Sequence, residues 1–420
     1  MDTAESATAP SATAPASRRG RGTGTSAAVR RHNMSQVLRV VHRFGHSTRS
    51  DISRLTGLSR PAVTSLVADL TALGYLTDTD SFASGSRGRP RMGVALARRR
   101  HAVVAVDIRV DRTVVEVVDL CGDVLRHRRL PHDDDRDAAA LVAALAGTIR
   151  RSVAKAAVPV VGIGIAAPSD HAPTGEDTLS SPYLKLSGVP LAAALGSALK
   201  PEAPRVGMAD VAHCAAIANL HALAVPGPTT LAHIQVGAGA GLGVAGSGAE
   251  FVNRHPERIR IGHLPLDPQG PPCTCGARGC FDAIAGFPAF VALTRSLDIA
   301  ASPTLATMRE YCRSVADLAA GGDGVAVEAI RTAAGWAGRA AACVLNLLGP
   351  DRLTLGGYPL YLGETYRRSF LEAIAPFAPH PEETVTTTAL DDDAPARGAA
   401  ILAMQSALDD AAAHPGTLSL

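Results

Sequence analysis

The sequence predicts an α/β protein in two parts: a small N-terminal helical module with a short hairpin, and a larger two-lobed α/β body. Three observations carry that expectation. The 420 residues suffice for two or three domains, each able to bury its own core. A helical apolar stripe ends near residue 74 and gives way, from about residue 101, to apolar strands, glycine turns and helical runs. Charge divides at the same place: from Arg18 to Arg100 there are 16 Arg, no Lys and four acidic residues, a net +12, whereas residues 101–420 carry about −8.

Composition narrows the class. No apolar run reaches the roughly 18–20 residues of a membrane span. The start MDTAESATAP lacks the basic and apolar regions of a secretory signal. Seven cysteines, three of them within CTCGARGC, suit a reduced compartment and a metal better than a disulfide framework. A cytoplasmic protein is expected, with no membrane partner.

Residues 1–30 are rich in Ala, Ser, Thr, Pro and Gly without apolar periodicity and are expected to form a disordered tail. Order is expected from Arg31. Val37, Leu38, Val40, Val41 and Phe44 recur at helical spacing. In SDISRLTGLSRPAVTSLVADLTALGYL, Ser50 can cap a short helix burying Ile52 and Leu55, and Gly57 supplies a tight turn. Ser59 can then cap a second helix, with Pro61 in the first turn, where its missing N–H costs nothing. Val63, Leu66, Val67 and Leu70 form that helix's buried stripe, and Gly74 ends it.

Two helices joined by so short a turn are a helix-turn-helix, whose second helix presents its N-terminal residues to base edges in the major groove. Ser59, Arg60, Thr64 and Ser65 are the candidate DNA-binding residues there. Tyr75–Asp78 and Met92–Leu96 read as two strands, and the loop between them carries Arg87, Arg89 and Arg91 as a wing for phosphates or a minor groove. Each element alone is commonplace. Their order and the basic charge together predict a winged helix-turn-helix over residues 31–98 with a double-stranded DNA operator as partner.

In the body, VVAVDIRVDRTVVEVVDL reads as strand, turn and strand, followed by a helical run over 138–153. VVGIGIAAPSD and LAHIQVGAGAGLGVAG are strands ending in glycine turns. At residues 260–282, RIGHLPLDPQGPPCTCGARGCFD gathers one imidazole and three thiolates: His263, Cys273, Cys275 and Cys280. Four protein ligands make a closed tetrahedral set for one structural zinc, and Gly270, Gly276 and Gly279 let the loop wrap around it.

This stretch resembles the signature of the ROK family of repressors and sugar kinases, CxCGxxGCxE preceded by GEIGH. The resemblance runs from Arg31 to about Ala412. It implies a two-lobed actin-like (ribonuclease-H-like) sugar-kinase-type body behind the winged helix-turn-helix. Lobe 1 is expected over 101–225, rejoined by a C-terminal helix at 396–412, and lobe 2 with the zinc loop over 226–395.

The same resemblance assigns roles residue by residue and finds several altered. The family's first phosphate loop, DxGGTK-like, falls on Asp107 to Thr113, where Val110 and Asp111 replace the glycines. Its catalytic base falls on Asp210, but the sugar-binding Asn beside it is Ala209. Its hydroxyl-binding Glu falls on Arg260, while His263 is kept and Asp282 stands for the last acid. The loop from Gly237 to Gly243 and the pair Gly356-Gly357 are intact. The expectation is therefore no kinase activity, with Asp210 vestigial or merely a helix cap. Asp210, Arg260, His263 and Asp282 would line an effector site for a sugar or sugar phosphate, because a guanidinium suits an acidic group. A homodimer or homotetramer acting as a transcriptional repressor is expected.

Overall fold

A computed structural model describes residues 26–82, 91–110, 112–130, 137–171, 177–200, 204–223, 229–246, 259–378, 381–387 and 390–413. The N-terminal module contains α1 (Ser26–Phe44), β1 (His46–Thr48), α2 (Arg49–Thr56), α3 (Arg60–Ala72), β2 (Leu76–Phe82) and β3 (Arg91–Leu96). The three strands form an antiparallel sheet in the order β1-β3-β2. Val37, Leu38 and Val41 of α1 meet Ile52, Val63, Leu66, Val67 and Leu70 in one core. Burying each such side chain contributes roughly 1.5–3 kcal/mol.

Four expectations are corrected here. Helix α1 begins at Ser26, five residues ahead of Arg31. Thr48, not Ser50, caps α2: its hydroxyl accepts the Asp51 N–H at 3.1 Å and the Asp51 carboxylate reaches back, a capping box that Ser50 could not form. Leu55 and Phe44 are exposed, because each falls off its helix's inward face. Strand β1, only three residues long, lay below what periodicity can detect.

Lobe 1 follows: β4 (Ala102–Ile108), β5 (Thr113–Asp119), β6 (Val124–Leu130), α4 (Ala138–Ala156), β7 (Val160–Ala167), β8 (Ser169–His171), β9 (Asp177–Ser181), β10 (Leu186–Val189), α5 (Leu191–Leu199), β11 (Val206–Asp210) and α6 (Val211–Leu223). Its sheet runs β11-β7-β4-β5-β6, with β4, β7 and β11 parallel and β5 and β6 antiparallel; β8, β9 and β10 form a small separate sheet. Strand β4 is buried along its whole length, which its unbroken apolar run requires.

Lobe 2 contains β12 (Thr230–Val236), β13 (Ala240–Gly246), α7 (Phe281–Ala285), α8 (Phe287–Thr294), α9 (Met308–Ala320), α10 (Gly324–Leu348), β14 (Arg352–Gly357), α11 (Gly363–Ile374), α12 (Pro381–Thr384) and β15 (Val385–Thr387). Its sheet order is β13-β12-β14-β15, and its core gathers Phe281, Phe287, Phe290, Tyr358 and Phe370 about the alanine face of α10. The last helix, α13 (Ala394–Ala413), returns to lobe 1 and packs on β4, β7, α6 and α1. Its small residues permit this: a Cβ on Gly162 or Gly164 of β7 would strike the carbonyls of Ala403 and Ala399. No helix among the described residues is long and apolar enough to cross a membrane.

Candidate functional site

Helix α3 is held with one face in the module core and the other in solvent. Ser59 caps it, its hydroxyl accepting the Ala62 N–H at 3.4 Å, and Gly57 ends α2 in the left-handed conformation at φ 73°. Arg60, Thr64 and Ser65 are all exposed on the outer face, with Ser59 at its start. The Thr64 hydroxyl donates to the Arg60 carbonyl at 2.9 Å, and Arg30 of α1 reaches across to Ser65 and ion-pairs with Asp69. Arg87 and Arg89 lie outside the described residues, and of Arg91 only the backbone, paired with Phe82 in the β2–β3 hairpin, is described.

The two lobes enclose a cleft of about 550 Å³. Asp210, Arg260, His263 and Asp282, separated by up to 72 positions in the chain, all line it. Asp210 sits where β11 meets α6, half-buried, and its Oδ1 accepts the Ala212 N–H at 2.8 Å. Burial pushes its carboxyl up to about 6, against backbone N–H donors from Ala212, Ser169, His213 and Val211 that pull the other way. It therefore both caps α6 and faces the cleft. Asp282, at the start of α7, accepts the Ala240 N–H at 2.6 Å. Burial raises its carboxyl too, opposed by that N–H and by the nearby His263 and Arg260.

Two cleft residues were not anticipated. Tyr183, between β9 and β10, donates its hydroxyl to the Ala238 carbonyl at 3.1 Å, so it bridges the lobes across the opening. Arg109, at the β4–β5 turn, also lines the cleft and is ion-paired with Asp107 at 2.9 Å and Asp392 at 3.3 Å. Asp392 further holds Arg112 of lobe 1 at 3.1 Å and pairs with Arg309 of α9 in lobe 2. The turn between β4 and β5 is thus stiffened by guanidiniums tied to a carboxylate. Asp111, within this turn, lies outside the described residues.

At the cleft edge, one ligand atom from each of His263, Cys273, Cys275 and Cys280 lies within 4.8 Å of the others. The His263 Nδ1 and Cys273 Sγ are 3.6 Å apart, as are the Cys275 and Cys280 sulfurs. A tetrahedral zinc with bonds of about 2.3 Å to sulfur and 2.0 Å to nitrogen places its ligands about 3.6–3.8 Å apart. The donor set and its spacing therefore fit zinc, and with four protein donors it would stabilise the loop without activating water. Gly279 is required by the fold of this loop: φ is 59°, and a Cβ would overlap the Asp267 carbonyl.

The ROK family model matches residues 103–406. The chain belongs to the ROK family. A MarR family model matches residues 34–81, so the front module is a MarR-type winged helix. The chain is 23% identical over 337 residues to the DNA-binding transcriptional dual regulator NagC of Escherichia coli K12, covering 78% of this chain and 81% of NagC. A crystal structure of a ROK family transcriptional regulator, a homologue of the E. coli Mlc protein, superposes with a TM-score of 0.72 at 22% identity over 91% of this chain and 97% of its own. The ROK hexokinase from Thermus thermophilus superposes with a TM-score of 0.57 at 26% identity, covering 73% of this chain and 99% of the hexokinase. The family thus includes both regulators and kinases, and the shared ROK fold does not by itself choose between them.

Within the ROK body, the glycine run that continues into β13 has a packing role. A Cβ on Gly243 would overlap the Ala212 carbonyl, so this glycine lets β13 lie directly on the start of α6 and brings Asp210 to the cleft. The Ala240 N–H, at the start of β13, is already engaged by Asp282.

Proposed function

We propose that this ROK protein is a sequence-specific DNA-binding transcriptional repressor whose cleft binds a carbohydrate-type effector, an acidic or phosphorylated sugar in particular. The observation that carries the reading is the joint presence of an exposed α3 face and a cleft lined by two guanidiniums, Arg109 and Arg260. In a two-fold homodimer, effector-driven closure of the lobes would alter the spacing of the two α3 helices and hence the fit to a palindromic operator. A single zinc on His263, Cys273, Cys275 and Cys280 would hold one wall of that cleft rigid.

The test is a gel shift of the full chain against its own upstream DNA, at two salt concentrations, with a panel of sugars and sugar phosphates. A shift released by one acidic compound, with release lost in Arg260→Ala, supports the reading. A shift that no compound releases would make the body an oligomerisation module without an effector. Release by neutral hexoses alone, unchanged in Arg260→Ala, would overturn the acidic effector.

A kinase is the second reading, and Asp210 is what favours it: a half-buried carboxyl with its pKa raised toward neutrality, on the cleft floor, has the character of a general base. ATP consumption with any hexose, abolished in Asp210→Asn, would establish that reading.

A further inference from the structure

A second cavity, of about 430 Å³, lies where the winged helix meets the body, and it shares no lining residue with the interlobe cleft. Its walls come from the end of α1, the strand β3, the β5–β6 hairpin, α6 and α13. Leu96, Val118, Leu120, Ala400, Ile401 and Met404 give it an apolar lining. Protein interiors leave few voids larger than a water molecule, whereas ligand pockets run from about 300 to 1,000 Å³ and favour domain junctions.

The polar groups on the wall are cationic or neutral, with one exception. Arg98 is exposed and shares its charge with Asp123 at 3.2 Å. Arg397, on the exposed side of α13, makes no hydrogen bond or ion pair with any residue whose side chain is described. Glu116, the one acid in the lining, accepts from or pairs with the His127 Nδ1 at 2.8 Å. His42 of α1 and His221 of α6 stack across the junction with ring centroids 5.0 Å apart, and burial holds both rings below their ordinary pKa, His42 down to about 4. At neutral pH these rings are uncharged, so the lining presents an apolar floor beneath the Arg397 guanidinium, while the one acid, Glu116, is engaged by His127 rather than by Arg397.

We propose that this junction cavity binds a small amphipathic organic anion, an apolar body carrying one carboxylate or sulfonate, and that its occupancy biases how the winged helix is seated on the body. Apolar burial against Leu120 and Met404 supplies the affinity, and Arg397 selects for the anionic head. Because α1 forms one wall, a ligand here acts on the DNA-reading module without passing through the cleft.

The test is a fluorescence titration of the full chain with 8-anilinonaphthalene-1-sulfonate, competed with octanoate and with neutral 1-octanol. Two variants sit at exposed positions and so spare the fold: Arg397→Gln removes the charge, and Ala222→Trp projects an indole into the cavity mouth. The expected result is saturable binding, weakened about tenfold by Arg397→Gln, abolished by Ala222→Trp, unchanged by Arg260→Ala in the cleft, and competed by octanoate far better than by octanol. Binding indifferent to both junction variants, or lost in Arg260→Ala, or competed equally by octanol, would overturn the proposal, as would the absence of saturable binding.

Discussion

Arg109 and Asp392 stand 283 residues apart in the chain, yet the Arg109 Nη2 donates to the Asp392 backbone carbonyl at 2.7 Å while Nη1 pairs with its carboxylate. Arg112 repeats the arrangement, donating to the same carbonyl at 2.9 Å. The residue that opens the return of the chain into α13 is therefore clasped by the turn between β4 and β5.

Removing the carboxylate should be costly. Asp392→Ala leaves Arg112 buried without its counter-charge, and loss of one partner of a buried pair costs about 3–5 kcal/mol. Arg309, whose side chain is 44% exposed, should cost well under about 1 kcal/mol when changed to Ala. Urea unfolding of the two variants checks the contrast, and equal midpoints would show that the clasp contributes nothing beyond a surface pair.

Asp210 should make stability depend on pH in a defined direction. Its folded pKa of about 6 lies above the unfolded value near 3.9, so its stabilising contribution is complete below about pH 4 and is lost as pH rises through 6. Asp210→Asn stays neutral and can still accept the Ala212 N–H. The variant should be more stable than wild type at pH 7.5, by up to about 2–3 kcal/mol, and indistinguishable at pH 4. Comparing the two proteins at each pH cancels proton uptake elsewhere, and parallel melting curves at both pH values would refute the assignment.

Arg60→Ala should weaken operator binding by about 1–3 kcal/mol, roughly a 5–150-fold loss. Arg87→Ala in the wing should weaken binding to all sequences and reduce the slope of log K against log salt by about 1. Filter binding at several salt concentrations separates these effects. A salt-independent affinity would remove the basic front from the interface.

The protein should carry one zinc per chain by elemental analysis. Cys275→Ser or chelation should lower the melting temperature by several degrees, since structural zinc contributes folding energy directly. Cys343→Ser, a thiol outside the cluster, should not. Equal behaviour of the two serine variants would exclude a structural metal.

Much of the site could be read from short-range chemistry. Ser59, Pro61 and the stripe Val63, Leu66, Val67 and Leu70 specify α3 within one local window, and the structure keeps all of them in those roles. The T-x-x-D pattern at Thr48 and Asp51 was equally local and was the stronger cap signal than Ser50. What the sequence could not disclose depends on distance. Nothing near Arg109 announces Asp392, and nothing near Tyr183 announces Ala238. Position on a helix face is also decided elsewhere: Leu55 and Phe44 are as apolar as their buried neighbours but are exposed, where none of the described elements covers them.

Helix α13 completes both the face of β7 and β4 and the underside of α1, so the first described helix of the chain rests on the last. During synthesis the winged helix emerges long before its seat exists. A nascent chain must expose the seat side of α1, with Met404 and Leu408 of its future partner still unmade. Until α13 has been made, α1 lacks one of the apolar surfaces on which it rests, so a chain interrupted before α13 would leave the DNA reader less firmly oriented.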